Sequence, residues 1–198
     1  MNRRHTAYCC VSSAVRLGVV MGLHLNVPEN LLQDKQLREH RKRVWWTAYI
    51  IDRSWAAKLG HPVSVQEDDS YVDPPSDEGL ETSLDDFGDC SYALCSIELA
   101  TLSHRTIVSI YGRRKQHSSF SLRVQSLLKD LTKWAEKLPP HLQISQGNGD
   151  QLLANHVLYL HLRFNQVSIS HCFEAPVLTN TVCHCCNPAN TVACSPLL

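Results

Sequence analysis

Four groupings of residues could do chemistry. Arg38, Arg41, Lys42 and Arg43 concentrate positive charge as a phosphate-binding surface would. Asp52 stands in an otherwise apolar run, where a carboxylate must be paired or neutralised, and could act as an acid, a ligand sensor or an internal tether. Trp45, Trp46 and Trp55 offer ring faces for stacking. Cys183, His184, Cys185 and Cys186 are soft metal ligands near the end of the chain.

Each has a plainer reading. Glu39 and Arg43 are an i,i+4 pair in the favourable order, so a solvated helix face explains most of the basic cluster. The tryptophans read as core, with Trp46 marking a second helix contact or a partner surface. Asp52 reads as an internal salt bridge, with Arg16, Arg41 or Arg105 as partner. Adjacent Cys and His ligands need a second arm to build a tetrahedral site, and only Cys172 and Cys194 lie near. The chain has no nucleophile elbow, metal-binding helix motif or phosphate-cradling glycine loop. No catalytic residue, metal ligand or DNA-contacting residue is therefore expected; a hydrolase is the weak alternative.

These residues need helices to position them. Arg41, Trp45, Ala48, Asp52, Trp55 and Leu59 share one face of a helix expected from Lys35 to Leu59. Gly60 and Pro62 end it, the glycine by tolerating a left-handed cap and the proline because it cannot continue a helix. Apolar spacing predicts further helices from Thr6 to Met21, from Ser91 to Tyr111, from a cap at Ser119 or Ser121 to Leu138, and from near Asp150 through Phe164. Pro139 and Pro140 end the fourth. No useful strand alternation appears, so the fold class is all-α, an irregular multi-helix domain.

At 198 residues the chain has room for one ordinary domain. Lys+Arg and Asp+Glu are 19 each, so total charge favours neither nucleic acid nor an acidic membrane. Charge is instead separated along the chain, because Glu67 to Asp89 contains acidic residues but no Lys or Arg. Nine cysteines, an odd number at irregular spacing, read as reduced structural thiols. No apolar run is long enough for a transmembrane helix. Arg16 and the helical spacing of Val11, Val15 and Gly18 favour a core helix over a targeting peptide at the N-terminus. From about Ser168 the periodicity fails, and Val177 to Leu198 carries no Asp, Glu, Lys or Arg. This tail reads as lying outside the domain, the product of a misread exon boundary.

Arg16-Leu17-Gly18, Gly22-Leu23-His24, Glu39, Arg41, Lys42, Arg43, Trp45, Trp46, Asp52-Arg53 and Gly60-His61-Pro62 together resemble the fungal transcription-factor regulatory domain. This is the middle homology region of zinc binuclear-cluster activators, also called the xylanolytic activator regulatory domain. Asp68-Asp69 with Asp73-Pro74-Pro75, the Leu131, Trp134, Leu138-Pro139 stretch, and Tyr159-Leu160-His161 with Arg163-Phe164-Asn165 extend the resemblance over residues 4–167. Residues 168–198 stay unassigned. The expected motif residues are Glu39, Arg41, Arg43, Trp45, Trp46, Asp52, Arg53, Gly60 and Pro62. His61 stands where family members usually carry Arg.

The resemblance implies a nuclear regulatory and interaction domain that works through other transcription-factor domains or coregulator proteins. It implies homodimerisation for the full-length protein. Zinc, and through it DNA, belongs to a six-cysteine cluster that this chain does not contain, so no cofactor is expected here. The chain is expected to be a domain fragment, incomplete at both ends. A helical interaction scaffold without a transcriptional role is the alternative.

Overall fold

The computed structural model of the chain describes residues 3–80, 89–111, 118–144 and 155–172. Five α-helices make up its framework: α1 (Arg3–Val20), α2 (Lys35–Leu59), α3 (Cys90–Tyr111), α4 (Phe120–Glu136) and α5 (Asn155–Cys172). No strand occurs among the described residues; Leu25 and Tyr71 form one isolated parallel bridge. The all-α expectation holds.

Helix α2 is the centre of the arrangement, packing on α1 to one side and α3 to the other. Its ends are chemically defined. Asp34 accepts a hydrogen bond from the Leu37 amide at 3.1 Å, satisfying an otherwise orphaned first-turn donor. At the other end Gly60 adopts φ +64°, and its amide and that of His61 return to the Ala56 carbonyl. Ser119 caps α4 through the Leu122 amide, which selects it over Ser121. Pro140 opens a single 3-10 turn, Pro140–Leu142, rather than more α-helix.

Two apolar clusters make up the core. Val15, Trp45 and Val72, with Leu23 and Val65 beside them, join α1, α2 and the segment that follows α2. Leu99, Leu131, Trp134, Leu138, Leu142, Val157 and Leu160 join α3, α4 and α5. Trp134 stacks on Phe164 at 5.3 Å between centroids and donates Nε1–H to the Cys95 carbonyl, so one side chain links three helices.

Several expected faces are rotated. On α2 the buried residues are Glu39, Trp45, Tyr49, Asp52, Arg53 and Ala56, while Ala48 and Trp55 are only half-buried. A helix packed from two sides buries more than one stripe, so the single stripe through Ala48, Trp55 and Leu59 missed Tyr49 and Ala56. On α3 the buried positions include Ser96, Leu99, Ala100, Ser103 and Thr106, whereas Leu94 and Val108 are substantially exposed. Small residues supply much of the buried face of α3, a signal that apolar counting passes over. Helix α1 begins at Arg3 rather than Thr6 and ends before Gly22, which takes φ +66°. The expected start of α5 near Asp150 and the Cys183–Cys186 group lie outside the described residues.

Candidate functional site

After Gly60 the chain turns back along α2, and side chains of the helix hold it at successive points. Asp52 accepts from the Ser64 amide at 2.9 Å and from Ser64 Oγ at 2.6 Å. Arg53 Nη2 donates to the Val65 carbonyl at 3.3 Å. Trp45 Nε1 donates to Ser70 Oγ at 2.8 Å, and Trp46 Nε1 to the Asp73 carbonyl at 2.9 Å. Glu39 accepts from the Ser76 amide at 3.0 Å, and Arg43 Nη2 reaches Asp77 at 2.5 Å. Helix positions step from 52–53 through 45–46 to 39–43 as segment positions rise from 64–65 through 70–73 to 76–77. The two run antiparallel.

The strip explains why charge sits in an apolar helix. Apart from the 3-10 turn Glu67–Asp69 and the bridge at Tyr71, the segment has no ladder for its backbone amides, so buried ones need side-chain acceptors. Asp52 and Glu39 supply carboxylates, which make stronger acceptors than neutral groups. Both are buried, at 1% and 5% exposure, and their bonds to Ser64 and Ser76 leave neither free as an exposed acid.

The expected ion pair of Asp52 is therefore corrected. Its partner is Ser64, not Arg16, Arg41 or Arg105. Arg16 is exposed, Arg41 donates to the Met21 and Gly22 carbonyls, and Arg105 lies 3.7 Å from Asp130 on α4. The fold-back after Gly60 places the Ser64 amide and hydroxyl on Asp52 instead.

The solvated-face reading of the basic entrance is corrected as well. Glu39 and Arg43 do form the expected pair, at 2.9 Å, but their side chains are only 6% and 12% exposed. Burial opposes the Arg43 charge, yet hydrogen bonds to Glu39 and Asp77 outweigh it and hold the guanidinium above its ordinary value. Arg38 donates to the Leu32 and Gln33 carbonyls and pairs with Glu29. Arg41 satisfies carbonyls just beyond the end of α1, where the helix dipole favours a cation. These three arginines hold the molecule together.

The remaining motif residues serve the same frame. Arg53 is 1% exposed and lies over the Tyr49 ring with Cζ 3.3 Å from the centroid. Burial lowers its affinity for the proton, opposed by Tyr49, Asp52 and Glu67. Burial raises the Tyr49 phenol, whose oxygen lies 3.1 Å from Thr101 on α3. Trp46 is a second contact within the molecule, bonded to Asp73 and edge-on to Tyr49. Pro62 accepts from the Tyr8 hydroxyl at 2.7 Å, while His61 lies against the His5 and Tyr8 rings, joining the start of α1 to the end of α2.

Beside the strip lies a cavity of about 900 Å³ between the C-terminal part of α2, the Gly60–Gln66 turn, α3 and α5. His104 and Arg163 line it. Burial, reinforced by the Arg53 charge, lowers the His104 pKa and favours its neutral ring. Arg163 is 7% exposed, burial disfavours its charge, and its Nη1 has no hydrogen-bond partner among the described residues. Arg163 was missed as a site residue, although it lies three positions after Leu160 on the apolar face of α5. Among the described residues no group of three His, Cys, Asp or Glu side chains could hold a metal ion. Nor is any described helix long and apolar enough to cross a membrane.

A family model described as the fungal specific transcription factor domain matches residues 1–139. The chain is similar to the transcription factor FBD3 of Gibberella moniliformis, 27% identical over 183 residues that cover 86% of this chain and 24% of that protein. It is 24% identical over 167 residues to an uncharacterized transcriptional regulatory protein of Schizosaccharomyces pombe, covering 83% of this chain and 21% of that protein. With the ABC-transporter-regulating transcription factor of Aspergillus oryzae it shares 25% identity over 193 residues, covering 88% of this chain and 21% of that protein. The chain thus spans a quarter or less of the length of these relatives. No solved structure matches it. The match takes in all nine motif residues, eight of them in the strip and its turn, and the chain belongs to the fungal-specific transcription factor domain family.

Proposed function

We propose that residues 4–167 form the regulatory and interaction domain of a nuclear fungal transcription factor of the zinc-cluster type. The domain modulates DNA-templated transcription through other domains of that factor or coregulator proteins, and is not an enzyme. The family match over residues 1–139 carries this reading. The motif chemistry supports it: Asp52 and Glu39 are engaged by the backbone of the following segment, which leaves neither poised for acid–base chemistry. The family resemblance implies that a zinc cluster elsewhere in the factor reads DNA, and Arg38, Arg41 and Arg43 are bonded within the molecule rather than presented to phosphates.

The test is a tethered reporter. The 198-residue chain is fused to an unrelated DNA-binding domain and expressed in a fungal host with a reporter bearing the matching site. The reading expects output to rise or fall relative to the DNA-binding domain alone at equal protein level. Equal output with and without the chain would count against it.

A further inference from the structure

Helices α1 and α2 lie side by side and run in opposite directions. Tyr8, near the start of α1, donates to the Pro62 carbonyl, while Arg41, near the start of α2, donates to the Met21 carbonyl. One side of this pair is covered. Val19 of α1 packs on the cluster that contains Val72, and Glu39, Trp46 and Arg53 of α2 bond to the segment after Gly60. Helical spacing carries Ala14, Leu17 and Met21 on α1, and Leu37, Val44 and Ile51 on α2, to the other side. All six are exposed. Steps of three, four and seven residues are those of a seam that receives a facing helix. Leu37, Val44 and Ile51 are only 40–45% exposed, so the helix pair already holds more than half of each side chain in place.

The charge around the two stripes has one sign. Arg3 lies on the Ala14 and Met21 face of α1, Lys58 follows Ile51 by seven residues on α2, and both are exposed. The antiparallel packing sets them at the same end of the pair. Helix α1 contains no Asp or Glu, and those of α2, Glu39 and Asp52, are buried. Glu29 and Asp34, before α2, are engaged by Arg38 and the Leu37 amide. The acidic stretch of this chain is tied to the covered side of α2 through Asp73 and Asp77.

We infer that this face binds an acidic amphipathic helix of a partner protein, its apolar residues between the two stripes and its carboxylates toward Arg3 and Lys58. A second copy of this chain would bring no carboxylate to those cations, because the face has none to offer. A bilayer calls for one apolar stripe with many flanking cations, not two stripes with a pair of cations at one end. The inference names the interaction surface of the regulatory domain and rests on that reading for its biological meaning. Peptide binding is measured on the purified chain and regulation by the reporter, so each can fail without the other.

The test is fluorescence anisotropy of the purified 198-residue chain with a labelled synthetic helix of about three heptads, Leu at a and d and Glu at e and g. Two controls are a scrambled peptide whose leucines share no face and an analogue with Lys replacing Glu. The acidic peptide is expected to bind at least about ten-fold more tightly than either control. This comparison needs the natural chain alone, so it stands whatever the variants do. Leu17→Glu combined with Val44→Glu, both at exposed positions, should weaken the acidic peptide at least about ten-fold. Leu122→Glu, at a similarly exposed position on α4, should leave it unchanged. No binding, equal binding of either control, or binding unchanged by the double substitution overturns the inference. A dimer of the natural chain that the double substitution dissolves assigns the face to a second copy. Retention on phosphatidylserine vesicles that the double substitution abolishes assigns it to a membrane. Either result also overturns the inference.

Discussion

Glu39 and Arg43, one turn apart on α2, pair at 2.9 Å while both are largely buried, and each also holds the segment that folds back over the helix. Glu39→Ala removes the acceptor for the Ser76 amide and strands a buried guanidinium. It should cost about 3 kcal/mol in denaturant unfolding. Asp77→Ala, whose side chain is 58% exposed, should cost less than about 1 kcal/mol. Equal costs would mean that the pair is a surface feature.

Gly60 ends α2 with φ +64°, and nothing lies within 4 Å of where a Cβ would stand. The cost of Gly60→Ala is therefore conformational rather than steric, about 1 kcal/mol by chemical denaturation. Asn tolerates the left-handed region better than Ala does, so Gly60→Asn should cost less.

His104 is held below its ordinary value of 6.5, first by burial and then by the Arg53 charge. The unfolded chain therefore binds this proton more readily than the folded one. The His104 contribution is intact above pH 6.5 and is lost as pH falls through that value toward the depressed folded pKa. Comparing unfolding free energies of the natural chain and His104→Gln between pH 5 and 8, on the order of a pH unit apart, isolates it. The natural chain should lose more stability than the variant toward the acid end.

Much of this was legible in the sequence. The limits of α2, its Gly60 stop, the Glu39–Arg43 pair and the all-α class follow from local rules of spacing and capping. The face of α2 was less legible, because a helix covered on two sides does not show one clean stripe. The partner of Asp52 was not legible. Ser64 carries no signal of its own, and its position depends on the path of an irregular segment. Arg163, like Asp52, carries its signal as a charge on an apolar helical stripe.

Arg38, Arg41 and Arg43 are engaged within the molecule, so the purified chain should not be retained on duplex DNA at low salt. A column elution series measures this. Retention that weakens linearly in log salt would show several free phosphate contacts.

Ser64 and Ser76 test most directly whether the motif holds the segment against α2, since their amides donate to Asp52 and Glu39 respectively. Amide hydrogen exchange, followed by NMR, should show both protected in the natural chain. In Asp52→Ala, expected to cost about 3 kcal/mol for two lost charge-assisted bonds, Ser64 should exchange faster by a larger factor than Ser76. Exchange of both amides at the rate of an open chain in the natural protein would contradict the account.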